Sequence, residues 1–323
     1  MEIIEDRSVL LLPKALKTPE EIAGYYACHV RDGSALTAFF CWLEQHVVYQ
    51  EETHHTEWSV GERLHECRAA LDGFVDDSFG CIAGYQSNGA LPHYAAHDDG
   101  SALEIHKEGM FLLDSGGQYI DGTTDTTRTM YLGHEPTEHQ RRCFTRVLQG
   151  HIDLASATFP AGTTGQQLDL LARVPLWREG LEYHHGTGHG VGSFLNVHES
   201  GSIYGFASRA PPDMLALQPT MVITNEPGYY EEGNFGVRHE NIYLCCRCDD
   251  DSLAPESSAE FLRFDAFTRS PIQTKIVMPE LLSVEQLAWL NDYNASVREA
   301  LLPVYEATPA ERFEQWQVTK EQM

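Results

Sequence analysis

Ile22, Tyr25 and Tyr26, then Leu36, Phe39, Phe40 and Leu43, recur at the spacing of one face of an α-helix. Thr18-Pro19-Glu20-Glu21 stands ahead of them and combines a capping box with proline at the first helical position. The same signal predicts helix starts at Ser59 with Glu62, Thr137 with Gln140, Thr163 with Gln166 and Ser283 with Gln286. In each, the hydroxyl oxygen can accept from N–H groups that the first turn leaves free. The last of these helices is expected over 283–305, with a frayed polar tail beyond it.

Short apolar runs between the helices predict strands: 110–113 running into Asp114, 130–132 after Asp125, 220–223 ahead of Glu226, and 237–246 with Glu240 inside it. The segments linking each carboxylate pair are rich in Gly, Asp and Asn, which suits hairpins. Residues 261–279 look strand-like, and the acidic stretch from Asp249 to Ser258 looks like an exposed loop. Helices and hairpins in alternation predict an α/β or α+β domain with a largely antiparallel central sheet. The hairpin with its carboxylates occurs twice, each time after helices, which suggests two similar halves facing one another.

With 42% hydrophobic and 10% aromatic residues in 323, the chain can bury a sizeable core. Its formal charge of −26 argues against nucleic-acid binding, which needs a basic surface. No apolar run approaches the roughly 20 residues of a membrane span, so no membrane partner is expected. The first residues are acidic where a secretion signal would be basic. The eight cysteines lack small-scaffold spacing and predict buried free thiols in a reducing cytoplasm. Asn294-Ala295-Ser296 matches a glycosylation sequon but falls in the predicted last helix and is read as chance.

Against that background Asp114, Asp125, His189, Glu226 and Glu240 form a candidate ligand set. Four carboxylates would balance two divalent cations, and one imidazole completes an oxygen-rich set suited to Mn²⁺, Co²⁺ or Zn²⁺. Two such ions about 3.5–4 Å apart can hold a hydroxide for hydrolysis. Glycines flank His189 in His185-Gly-Thr-Gly-His189-Gly and allow a close backbone approach. Glu240 sits in an otherwise apolar run, where an unpaired ionised glutamate would be costly.

These segments resemble the metallopeptidases of the pita-bread fold, which include methionine aminopeptidases, prolidases and aminopeptidase P. The resemblance is carried by Asp114-Ser-Gly-Gly-Gln-Tyr, Asp121-Gly-Thr-Thr-Asp-Thr-Thr-Arg-Thr, the run from His185 through His198-Glu199, and Glu226-Pro-Gly-Tyr-Tyr. With Pro271-Ile-Gln-Thr-Lys275 and Trp289-Leu-Asn291, it is similar to the cytosolic eukaryotic aminopeptidase P (X-prolyl aminopeptidase) group, from about Leu10 onward.

The resemblance implies an α+β fold of two similar halves around a curved, largely antiparallel sheet. It divides the chain into a residual linker at 1–17, a catalytic domain at 18–256 and a C-terminal extension at 257–323, with the group's two N-terminal domains absent. It implies two metals, manganese first, on Asp114, Asp125, His189, Glu226 and Glu240, with Asp125 and Glu240 bridging. The implied reaction releases the N-terminal residue of Xaa-Pro peptides by attack of a metal-bridging hydroxide. Glu226 would act as base and then acid, His198 would steady the carbonyl oxygen, and His93 would contact the leaving nitrogen. His185 and Arg238 would shape the prolyl side. A homodimer through the C-terminal extension is also implied.

Two positions depart from the family: Asn225 replaces the usual Asp, and His239 stands where an aliphatic residue is common. A prolidase acting on Xaa-Pro dipeptides is one alternative. A catalytically idle binding module of the same fold is another.

Overall fold

The computed structural model describes residues 8–51, 54–199, 205–207, 214–248 and 260–323. The expected acidic loop lies outside them. The chain opens with α1 (Leu11–Ala15) and the long α2 (Pro19–Leu43), which runs into a π-helical turn and then α3 (Glu57–Ala69). The cap of α2 forms as its sequence predicts: Thr18 Oγ1 accepts from the Glu21 N–H at 3.2 Å, and Glu21 Oε2 accepts from the Thr18 N–H at 2.8 Å. The predicted apolar face is buried, with Tyr25, Leu36, Phe39 and Leu43 at 1% exposure or less. Each such side chain contributes about 1.5–3 kcal/mol by leaving water.

Two predicted caps shift. Helix α3 is capped by Thr56, and Ser59 takes the third position, so the Ser59–Glu62 box does not form. The earlier start sends the Glu57 side chain into the core, where it finds four donors. In the second case Thr163 Oγ1 instead donates to the Pro160 carbonyl at 2.7 Å. The box therefore opens one residue later, where the Thr164 N–H donates to Gln167 Oε1.

Strands β1 (Phe74–Asp77), β2 (Ile82–Tyr85), β3 (Gly109–Ser115), β4 (Gly117–Tyr119), β5 (Gly122–Thr123) and β6 (Thr126–Leu132) form the first half. They make two antiparallel sheets, ordered β2-β3-β6 and β1-β4-β5. Helix α4 (Glu138–Ala155), capped by Thr137 as predicted, leads through β7 (Phe159–Pro160) to α5 (Gly165–Trp177). The second half holds β8 (Gly188–His189), β9 (Gly205–Phe206), β10 (Val222–Asn225), β11 (Gly228–Glu231), β12 (Phe235–Arg238), β13 (Asn241–Arg247) and β14 (Phe261–Ala266). Its principal sheet is ordered β10-β13-β14-β7, all antiparallel. Helices α6 (Val284–Ala307) and α7 (Ala310–Trp316) finish the chain.

Only the start of the expected strand at 261–279 is strand. Beyond Ala266 the backbone pairs with side chains instead: Ile272 exchanges two bonds with the Asn294 amide, and the Ser270 carbonyl accepts from Arg128. That use of Asn294 agrees with reading its sequon as chance. The tail is docked rather than frayed, with Trp316 buried and its indole N–H donating to the Cys67 carbonyl at 3.1 Å. Residues 8–17, expected as linker, are docked too. Ala15 is fully buried, and the Lys17 ammonium pairs with Glu199 with both side chains out of water. None of the eight cysteines is in a disulfide, and four of them are buried. Among the described residues no helix is long and apolar enough to cross a membrane.

Candidate active site

Each half contributes a two-stranded ribbon that changes sheets at its carboxylates. Strands β3 and β6 pair from Gly109 opposite Leu132 to Ser115 opposite Thr126, which sets Asp114 beside Thr127. Past Ser115 the ribbon peels away, and its tip, β4 with β5, joins β1. Asp125 stands at that fork. In the other half β10 and β13 pair up to Asn225 opposite Asn241, and β11 pairs with β12 from Gly228 opposite Arg238. Glu226-Pro227 and His239-Glu240 fill the gap.

The single strand expected through Glu240 is therefore two strands. Pro227 has no N–H to offer a ladder, and neighbouring segments take the free backbone groups. The Glu226 N–H donates to the Thr187 carbonyl at 2.7 Å, and the Glu240 N–H donates across to the Thr127 carbonyl of the first ribbon at 3.1 Å. Arg128 locks the two ribbons to the C-terminal segment. Its guanidinium donates to the carbonyls of Thr127, Glu240 and Ser270 at 2.7–2.9 Å and to Asn241 Oδ1 at 2.8 Å.

His189 reaches this fork from β8. A Cβ at Gly188 would lie 2.0 Å from the Thr224 carbonyl oxygen, so only glycine lets the segment press this closely on β10. His189 Nδ1 lies 2.9 Å from the Gly190 carbonyl, which makes it the protonated nitrogen. Nε2 then presents its lone pair to the carboxylates, 3.4 Å from Asp125 Oδ2 and 3.6 Å from Glu226 Oε1.

Three buried carboxylates, Asp114, Asp125 and Glu240, and the partly buried Glu226 lie around the Arg238 guanidinium. Arg238 Nη2 donates to Asp114 Oδ2 at 2.6 Å, Nε donates to Thr127 Oγ1 at 3.0 Å, and that hydroxyl donates to Glu240 Oε2 at 2.7 Å. Burial, reinforced by the charges of Asp114 and Glu226, pushes the Asp125 carboxyl well above the usual carboxylate range. Burial and the charge of Asp125 do the same to Glu240. Glu226 is raised by burial, with His189 and Arg238 opposing. Asp114 Oδ1 is buried without a hydrogen-bond partner among the described residues. Ligand atoms of Asp125, His189 and Glu240 lie within 4.8 Å of one another. An excess of buried negative charge, an orphaned carboxylate oxygen and a converging imidazole nitrogen fit divalent cations.

These residues line one cavity of about 460 Å³ together with His93, His185 and His198, so every site residue named from the sequence is brought together. The His198 ring stands edge-on to His189, with centroids 4.1 Å apart, and its pKa is lowered by burial and by that neighbour. Burial, with the Arg238 charge, pushes His185 down to about 3. His185 Nε2 lies 2.8 Å from the Tyr230 hydroxyl, which in turn accepts from Arg238 Nη1 at 2.7 Å. Phe79, Ile82 and Phe206 supply apolar walls.

Sequence reasoning missed Tyr230 and Thr127. Thr127 had a signal, because strand alternation in Asp125-Thr-Thr127 puts both side chains on one face.

Comparison with known proteins agrees with this geometry. Residues 24–246 match the model of metallopeptidase family M24, and residues 260–316 match that of the C-terminal region of peptidase M24. Xaa-Pro aminopeptidase 1 of Dictyostelium discoideum is 42% identical over 319 residues, covering 97% of this chain and 49% of that protein. Aminopeptidase P2 of Arabidopsis thaliana is 45% identical over 300 residues, 93% of this chain and 41% of that one. The crystal structure of X-prolyl aminopeptidase from Caenorhabditis elegans, described as a cytosolic enzyme with a di-nuclear active site, superposes with a TM-score of 0.87 at 36% identity. It covers 96% of this chain and 48% of that chain. The chain spans about half the length of the relatives it matches. With its ribbons, its five converging ligand candidates and these matches, the chain belongs to metallopeptidase family M24, the pita-bread metallopeptidases.

Proposed function

We propose that this chain is the catalytic part of a dinuclear metalloaminopeptidase that releases the N-terminal residue from peptides with proline at the second position. The observation that carries the reading is the convergence of Asp114, Asp125, His189, Glu226 and Glu240 in one cavity with three further histidines. The names of the Dictyostelium and Caenorhabditis relatives support the substrate class. The family matches at 24–246 and 260–316 support a catalytic domain over 18–256 and an extension over 257–323.

Oxygen-rich donors with one imidazole favour Mn²⁺. Eight cysteines outside any disulfide favour a reducing cytoplasm. Val284, Leu287 and Leu302, exposed on α6, support a homodimer through the extension.

Two cations held by the five ligands would supply Lewis acidity and an acidified water. Glu226 would accept that water's proton and return it to the leaving nitrogen of proline. His198, kept neutral at pH 7, would donate an N–H to the carbonyl oxygen as charge develops on it. The Arg238–Tyr230–His185 chain would hold the prolyl side in place, and His93 would contact the leaving nitrogen. A prolyl peptide bond has no N–H, so fit against apolar walls such as Phe79 and Ile82 would select it.

Elemental mass spectrometry paired with cleavage of Arg-Pro-Pro, with and without added Mn²⁺, tests the reading. Two metals per chain and released arginine are the expected result. Cleavage of Arg-Pro but not of Arg-Pro-Pro would favour the prolidase alternative. Peptide binding without turnover by the metal-loaded chain would favour the idle module.

A further inference from the structure

His93 projects from an irregular loop, and what holds that loop is a carboxylate outside the cavity. Glu57, at the first position of α3, is 0% exposed. Its Oε1 accepts from the Tyr85 N–H at 2.7 Å. Its Oε2 accepts from Asn88 Nδ2 at 2.9 Å, the Tyr94 hydroxyl at 2.7 Å and the Leu103 N–H at 2.8 Å. A carboxylate has about four acceptor sites, and four donors from the two ends and the middle of the 85–103 segment converge on this one, one on Oε1 and three on Oε2. The backbone adds a brace, with the Glu57 N–H donating to the Leu103 carbonyl at 3.0 Å. Among the described residues no other side chain is bonded by so many points of this loop. Tyr94 is the direct neighbour of His93.

We infer that Glu57 is a positioning residue for the reaction, which fixes His93 over the cavity by gathering Tyr85, Asn88, Tyr94 and Leu103 onto one buried carboxylate. The inference rests on the aminopeptidase reading for the role of His93, but the clamp itself is independent of turnover. Glutamine is nearly isosteric, yet it replaces one acceptor oxygen by an amide nitrogen that can only donate, so the Tyr85 N–H would lose its acceptor, or all three donors on Oε2 would if the amide were turned the other way. Tyr94→Phe is a milder test that removes one bond and leaves the carboxylate in place.

The variants Glu57→Gln and Tyr94→Phe, with His93→Ala alone and combined with each, are compared in the Mn²⁺-loaded full chain. The readouts are Xaa-Pro peptide kinetics, metal content and hydrogen–deuterium exchange. Glu57→Gln is expected to lower kcat/KM roughly 10- to 100-fold and Tyr94→Phe by less, with metal content unchanged. Exchange should rise at 86–103 and stay unchanged in the β3–β6 ribbon. Combined with His93→Ala, neither should add to the loss from His93→Ala alone, because residues acting through one group are not additive. Losses that add in full, or wild-type kcat/KM in both variants, would overturn the inference. If the unmodified chain cleaves no Xaa-Pro peptide, the functional reading fails. The exchange data then decide the clamp, and unchanged exchange at 86–103 in Glu57→Gln overturns it.

Discussion

Stripping the metals should make the stability of this protein depend on pH in a way the loaded protein's does not. Asp125, Glu226 and Glu240 all have raised pKa values in the metal-free fold, caused first by burial. A carboxyl raised on folding holds its proton in the native state at a pH where the unfolded chain has lost it. The native state then binds more protons, and stability falls as pH rises, by about 1.4 kcal/mol per pH unit for each retained proton. The sign is opposite to that of the buried histidines. His29, His151 and His185, lowered to about 4, 3 and 3, are neutral in the fold, and they cost stability only as pH drops below the unfolded histidine value of about 6.5.

Between about pH 6.5 and 8 the fading histidine contribution is common to the apo and loaded forms, and one proton held by the cluster throughout would be worth about 2 kcal/mol. At roughly 2 °C per kcal/mol for a chain of this size, the apo Tm should drop by about 4 °C across that window relative to the loaded protein. With divalent cations on the carboxylates the protons are displaced, and that contribution should vanish. Differential scanning fluorimetry of chelator-stripped and Mn²⁺-reconstituted protein in matched buffers measures the difference. Parallel apo and loaded curves would refute the reasoning, since they would mean that the cluster holds no extra proton when the cations leave.

Three further outcomes follow from single side chains. Glu226→Gln should keep the far-UV circular dichroism of the parent and lose about 10²–10⁴ in kcat; normal turnover would exclude its acid–base role. His239 is fully buried with both ring nitrogens lacking partners among the described residues, its ring edge-on to Phe144 at 4.4 Å. His239→Ile should therefore raise stability in urea unfolding by about 1–3 kcal/mol, and a lower midpoint would contradict that account. Lys17→Met would remove the buried cation that pairs with Glu199 and leave the half-exposed Lys14 3.5 Å away. A loss near about 3 kcal/mol is expected, with part of it regained in Lys17→Met/Glu199→Gln; an unchanged Tm in the single variant would show that the pair does not stabilise the fold.

How much of this was legible beforehand varies by element. The caps at Thr18, Thr137 and Ser283 form as their sequences predict, because a capping box is satisfied within four residues. The box at Ser59 does not form, because the pull on that helix start comes from loop donors far along the chain that converge on Glu57. The ligand candidates were visible because buried carboxylates in apolar strands need a reason to be there. The break of the ribbon was only half visible: Pro227, which cannot donate to a ladder, could have signalled it, but the Thr127 carbonyl of the other half that takes the Glu240 N–H could not.

The sequence alone determined the periodicities, the local caps, the order of the candidate ligands and the family these motifs resemble, all of which depend on near neighbours or on residue identity. Tertiary structure decided which strands share a ladder, that the C-terminal segment locks both ribbons through Arg128, and that α1 and the tail are docked. It also decided that Glu57 and Thr127 stand behind the site. Those outcomes depend on donors and acceptors from distant segments meeting out of water, where each unpaired group is costly, and no local pattern encodes the meeting.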